Sequence, residues 1–497
     1  MKSFAIMLVS VVVSLYATAA GTGHLDVKVT GPGELGAVLA DKAATVESLA
    51  VEGPIDERDF ATLWECSFEG ELRSLDLSKA LPDGNAIPDS AFFHEKAQRG
   101  PYSTNEYSYN RLKLTELALP ENLVRIGNSA LKCLLIRSLE IPASVRDLGA
   151  YCFARCDSLK EPVALPEGLE AVPEGCFYFC QYMTGITIPA SVKMLGEKAF
   201  KDCNSMTGAP LIIPEGVTEI PDYCFSGCMA VHEFKLPSTL RSIGNLAFEG
   251  LILDTPYMIL PEGLEEIGER AFDNNTFFEI EIPASCTELG QMAFMSSRRL
   301  RSMRFGSGSP IREIPAGFAL SCDSLTTLVL PDGLVSIGDR AFDSCNSLSE
   351  IDFPSTLTSI GINAFFGNSI IDLVLPENLE KLGGGCFEQR GSSKLKSICS
   401  LNPTPPYIFF SPFSQDLPTD IPVYVPVGAA ETYRTTMGWR NFTNIIESSD
   451  LPPTVGIGTI VTDTTGEDIP VHDLMGRRVS NPTKGNIYIK SGKKYIH

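Results

Sequence analysis

The sequence predicts a mainly β repeat solenoid, on three observations. The phrase LPEGLEEIGERAF at 260–272 returns as LPDGLVSIGDRAF at 330–342, with nine of thirteen residues identical. The phenylalanine that closes such phrases recurs at Phe153, Phe177, Phe200, Phe225, Phe248, Phe272, Phe294, Phe318, Phe342, Phe365 and Phe387, at intervals of 22–25 residues. An apolar stretch ending in proline precedes most copies. A unit of this length cannot bury its own apolar side, so successive units stack and share a core.

Each unit has two halves. In SLTTLVLP (324–331) the apolar positions are Leu325, Leu328 and Leu330, which reads L-x-x-L-x-L. Its last steps alternate at period two and predict a short strand with one inward face. Pro331 stops it, because proline has no N–H for a ladder. The same place is held by Pro120, Pro142, Pro166, Pro189, Pro214, Pro237, Pro261, Pro283, Pro354 and Pro376. In GLVSIGDRAF, Leu334 and Ile337 are expected inward, Gly338 at a bend, and Ala341-Phe342 as a plug for the turn. Leu131 stands one unit before Phe153, and Phe92 starts the series ahead of an insertion containing YSTNEYSYN.

The phrase L-P-x-x-L-x-x-I-G-x-x-A-F-x-x-C, as in LPDGLVSIGDRAFDSC (330–345), resembles the BspA-like, or Treponema pallidum-type, leucine-rich repeats of bacterial surface proteins. The resemblance covers residues 81–400. It implies a curved right-handed stack with a parallel sheet on its concave face, and short strands and 3-10 or helical turns on the other side. It also implies a secreted or cell-surface protein engaged in adhesion or recognition. The family motif consists of core positions, so it transfers no binding residue. FGSGSPIREIP (305–315) departs from the pattern by lacking the L-P phrase.

The ends read differently. Residues 1–20 have the marks of an export signal: Lys2, an apolar run from Phe4 to Leu15, and the small-x-small site Ala17-Thr18-Ala19. That run is short for a membrane span of about 20 residues. Residues 21–80 are read as capping coils, since a terminal repeat faces water on one side. Residues 401–447 are read as a C-terminal cap with a strand, a short helix from about Gly428 and an aromatic plug of Trp439 and Phe442. A linker spans 448–456. Residues 457–497 resemble the short C-terminal β modules of secreted Bacteroidetes proteins, some of them sorting tails, through Asp473-Leu474, Gly476-Arg477-Arg478 and Gly485-Asn486-Ile487-Tyr488.

The formal net charge of -21 disfavours nucleic acid and anionic lipid as partners. Fourteen cysteines in an exported chain raise a disulfide framework. Their positions give another reading. Cys156, Cys180, Cys203, Cys228 and Cys345 each follow a repeat phenylalanine by three residues, and Cys322 by four. That makes a ladder of small buried thiols with no pairing rule. The C-x-x-x-C pairs, such as Cys152/Cys156, fall on the repeat and do not call for zinc. The five histidines form no H-E-x-x-H, and no nucleophile elbow, phosphate loop or EF-hand appears. The sequence nominates no catalytic residue, metal ligand or cofactor.

The expected binding face is formed by outward strand positions: Glu233, Lys235, Tyr257, Ile259, Glu279, Glu281, Arg304, Thr327, Val329, Glu350, Asp352, Asp372 and Val374. Tyr257 and Ile259 form an apolar pair. Glu350, Asp352 and Asp372 put acid on consecutive strands. The expected role is binding of a protein partner, a host matrix protein or another bacterial surface protein. Glycan capture and a structural surface-layer role are the alternatives.

Overall fold

The computed structural model describes residues 23–93, 112–208, 210–253 and 257–451, with the backbone of strands Val471–His472, Ile487–Lys490 and Lys493–Ile496. Residues 1–20, read above as an export signal, and the YSTNEYSYN insertion lie outside the described residues. The chain divides into two compact units, Met1–Phe277 and Phe278–His497. Each is a parallel β-solenoid.

In the first unit, His24–Lys28, Ser48–Ile55, Ser74–Asp76 and Glu116–Ala118 pair in that order, all parallel. Helix Glu57–Phe68 follows the second strand and buries Phe60, Leu63 and Cys66. Asp56 caps it, and the fully buried Asp59 carboxylate accepts N–H bonds from Gly33, Leu35 and Asp56. A buried carboxylate needs such donors.

From there most coils contribute two short strands, one on each side of the coil, although the segments at 139–141 and 348–353 form none. The first ladder uses the L-x-x-L-x-L half, as in Leu211–Ile212 against Phe234–Lys235. The second ladder uses the two residues before the repeat glycine, as in Ser242–Ile243 and Glu266–Ile267, or before a proline in its place, as in Glu219–Ile220 ahead of Pro221. In the second unit the first ladder holds Glu279–Ile282, Ser302–Phe305 and Thr327–Val329. It then holds Asp372–Leu375, Ser397–Ser400, Val423–Pro426 and Ile445–Ser448. The second ladder there runs from Glu313–Ile314 through Ser336–Ile337, Ser359–Ile360 and Lys381–Leu382 to Tyr407–Ile408. Proline does more than stop the strand: Pro331 O accepts the N–H of Leu334, and the same i to i+3 turn forms after Pro166, Pro214 and Pro376.

Gly338 does not supply a bend. Its φ is not positive; it is a point of close approach. Its N–H donates to Ile314 O at 2.8 Å, and an added Cβ would lie 2.8 Å from Ala316 N and 2.9 Å from Ile314 O. The left-handed residue comes two positions later, at Arg340 (φ 56°), and likewise at Tyr151, Lys198, Tyr223 and Arg270. The far side of each coil is therefore a hydrogen-bonded turn. Among the described residues, 3-10 segments occur at Ala40–Lys42, Asp83–Asn85 and Trp439–Asn441, outside the regular coils.

The phenylalanines form columns. Phe153, Phe177, Phe200, Phe225, Phe248 and Phe272 stack at 5.2–5.8 Å between centroids, within 20° of parallel. Phe342, Phe365 and Phe387 do the same at 5.3 and 5.7 Å. Most of these phenylalanines donate the backbone N–H to the next coil's residue in the alanine place, as Phe342 N to Ala364 O. Phe92 N to Ala130 O and Leu131 N to Cys152 O belong to the same series.

Phe318 does not. Phe294 N donates to Phe318 O, and Ala319 N donates to Ala341 O. Phe318 thus occupies the alanine place and Ala319 the phenylalanine place. The inverted order turns the Phe318 ring edge-on to Phe294, at 77°. It also explains why Cys322 follows Phe318 by four residues: it follows Ala319 by the usual three.

All fourteen cysteines are free and buried. The ladder thiols have a polar task beyond filling space. Cys180, Cys203 and Cys228 donate to the carbonyls of Phe153, Phe177 and Phe200 in the preceding coil, at 3.1–3.2 Å. Cys322 and Cys345 reach Phe294 and Ala319 O in the same way. At the equivalent place Asn275 donates its amide to Phe248 O at 3.0 Å. Burial pushes the thiols of Cys203, Cys228 and Cys345 up, which keeps the S–H proton available. Thiol titration of native protein should therefore find few reactive groups, and denaturation without reductant should release nearly all of them. Denatured, unreduced protein that still titrates near zero would show the ladder to be bridged.

At the end of the second unit, helix Ala430–Thr435 follows strand Val423–Pro426 and packs fully buried Tyr433 against Trp439. Tyr433 Oη bonds Ser400 Oγ and Asn402 O, and Trp439 Nε1 donates to Pro406 O. The last three strands form an antiparallel sheet.

Candidate functional site

The first ladder alternates core and outward residues. In the first unit Tyr257 and Ile259 are 51% and 68% exposed on either side of buried Met258. Lys235 is exposed and Glu233 half-buried around Phe234. Ile212, which the sequence pattern does not single out, is 57% exposed directly across from Lys235. Beside it the ladder opens. Val163–Ala164 pairs with Ile186–Thr187, and Leu211–Ile212 pairs with Phe234–Lys235, but no ladder joins the two pairs. The coil between Phe200 and Phe225 is one of the longest, at 25 residues, and Pro210 brings no N–H to the join. The result is a groove of about 540 Å³ lined by Ile186, Thr187, Met206, Thr207, Leu211 and Ile212.

In the second unit Glu279 and Glu281 are exposed and stand opposite Ser302 and Arg304 in register, with half-buried Thr327 and Val329 beyond. The acidic residues do not share consecutive strands as expected. Glu350 and Asp352 are exposed, but their segment forms no strand. Ser347 gives both its N–H and its hydroxyl to Asp323 O one coil earlier. Asp372 does lie on a strand, beside half-buried Val374, and its carboxylate accepts from Ser397 Oγ at 2.6 Å.

The structure also exposes aromatics that sequence reasoning passed over. Tyr407, Phe409 and Phe410 are all more than half exposed, and the two phenylalanines meet edge to face at 4.6 Å. YIFF in a proline-rich stretch is the signal that marks them. Among the described residues no group of three or more His, Cys, Asp or Glu is placed to hold a metal ion. His24 bonds Ser48 and Asp26 on the surface, and among the described residues no helix is long and apolar enough to cross a membrane.

Comparison with known proteins bears on the repeat. The BspA type leucine rich repeat region, in six copies, matches residues 86–207, 209–316 and 312–414. A leucine-rich repeat protein from Bacteroides ovatus has a similar fold: TM-score 0.53, 20% identity, covering 88% of this chain and 98% of that one. A leucine rich cell surface protein from Faecalibacterium prausnitzii gives TM-score 0.37 at 23% identity, over 66% of this chain and 84% of that one. The Treponema pallidum leucine rich repeat protein gives 0.29 at 25%, over 38% and 78%. Among curated proteins none matches. With regular coils closed by stacked phenylalanines and a matched region spanning more than half its length, the chain belongs to the BspA type leucine-rich-repeat family.

Proposed function

We propose that this chain is a non-catalytic recognition protein, exported to the cell surface or secreted, that binds a protein partner through the outward row of its first ladder. One observation carries the reading: Ile212, Tyr257 and Ile259 stand out from strands whose alternate residues already fill the core. Nothing in coil stacking requires large apolar groups there. An extended row of outward positions is the binding surface that solenoids offer, and aromatic and apolar anchors dominate protein interfaces. Residues 1–20 would direct export, and 457–497 would form a separate terminal module.

The test is binding of the purified chain to immobilised extracellular matrix proteins, with Ile212→Ser/Ile259→Ser as the comparison. The variant should keep its far-UV spectrum and lose about tenfold or more in affinity. Unchanged binding would remove the face from consideration. Glycan capture is the second reading, favoured by exposed Tyr407, Phe409 and Phe410. A glycan array probed with the full chain and with Phe409→Ala/Phe410→Ala decides it.

A further inference from the structure

The chain is acidic, with 40 lysines and arginines against 61 aspartates and glutamates, yet SRRLRSMRF at 297–305 places four arginines within seven residues. The fold keeps all four out of the core. Ser297, Leu300, Met303 and Phe305 are buried; Arg298, Arg299 and Arg301 are exposed, and Arg304 is half-buried. Arg299 and Arg301 flank the Phe278 ring, with guanidinium carbons 5.3 and 4.9 Å from its centroid. Arg304 Nε donates to Ser302 Oγ at 3.2 Å. Among the described residues none of the four has a carboxylate within ion-pairing distance. Some arginines of this chain do find one: Arg125 pairs with Asp89 and Asp147, and Arg270 with Asp273.

The backbone that carries these cations is fixed. Arg301 N–H donates to Phe278 O at 2.7 Å, and Arg301 O accepts from Thr326 N and Thr327 N at 3.0 Å each. Thr326 Oγ1 adds a third bond to the same oxygen. Guanidinium groups held at a fixed place, resting on an aromatic face and lacking acidic partners, are matched to planar oxyanions.

We propose that Arg298, Arg299, Arg301 and Arg304 form a docking site for a short acidic segment of a partner protein. The neighbouring coils define the ligand. Glu279 and Glu281 lie on the preceding strand, about 4.8 Å away, and Glu350, Asp352 and Asp372 lie further along the same unit. A long polyanion running along the stack would meet carboxylates on both sides. Two or three adjacent carboxylates on a peptide fit within the one basic coil. The site is independent of the apolar row at 212–259, so either can fail alone.

The experiment is fluorescence anisotropy of the full chain with a labelled peptide of three consecutive glutamates flanked by glycine and serine. A lysine counterpart and a sulfated tetrasaccharide are run beside it. The glutamate peptide should bind, weaken as salt is raised, and lose about tenfold or more with Arg299→Glu/Arg301→Glu. Arg299→Gln/Arg301→Gln, checked by far-UV circular dichroism, separates loss of charge from misfolding and should also bind more weakly. Three outcomes overturn the proposal: no glutamate-peptide binding at low salt, equal binding by folded Gln variant and native protein, or tighter arginine-dependent binding of the sulfated tetrasaccharide.

Discussion

Replacing Phe225 by alanine should destabilise the protein by about 3–5 kcal/mol, in the range for deleting a buried aromatic ring. The ring lies between Phe200 and Phe248, nearly parallel to both at 5.3 and 5.7 Å, and Phe234 meets it edge-on at 5.3 Å. Its removal leaves a void in the middle of a column. The backbone on either side is fixed by the bonds Phe200 N to Cys224 O and Phe225 N to Ala247 O, so collapse is hindered. Equilibrium urea denaturation of the two proteins measures the difference. A change below about 1 kcal/mol would mean that neighbouring coils close the gap and that the column is not the main source of cohesion.

Gly338→Ala should cost about 1–3 kcal/mol, an overpacking penalty from a single methyl group. The obstruction is backbone: Ala316 N at 2.8 Å and Ile314 O at 2.9 Å from the new Cβ. Neither can turn aside as a flexible side chain would, so the two coils must part. The Gly338 N to Ile314 O bond is then stretched as well. The control is Gly333→Ala, where an added Cβ meets nothing within 4 Å; it should change stability far less. Equal melting of both variants would show that the coils yield at no cost.

The sequence reveals the coil and conceals part of its wiring. The phenylalanine column is legible because one large apolar residue fills the same buried volume in each turn. The second ladder is not legible, since Ser336–Ile337 and its counterparts are two residues long and show no alternation. Gly338 reads as a bend from composition alone; the nearness of the preceding coil is a tertiary fact. The inversion at Phe318-Ala319 is invisible to spacing, although the displaced Cys322 was its trace. The binding face was partly legible. Tyr257 and Ile259 follow from strand alternation, and so does Ile212 between buried Leu211 and Ile213, whereas the break in the ladder beside it is a tertiary fact that no single coil encodes. Glu350 and Asp352 fit the pattern, but their segment forms no strand.

The N–H bond that most of these phenylalanines give to the following coil makes length an adjustable property. Phe365 N donates to Cys386 O as Phe342 N donates to Ala364 O, and neither bond depends on the coil having a fixed number of residues. Excising 343–365 would bring Phe342 to face Cys386 O with every other coil still in phase. The stack would shorten by one layer, about 4.8 Å, and its two ends would keep their chemistry. Recombination between repeated copies such as 260–272 and 330–342, which stand 70 residues and three coils apart, would add or remove roughly 210 nucleotides at a time and so change the number of layers while each remaining coil folds as before.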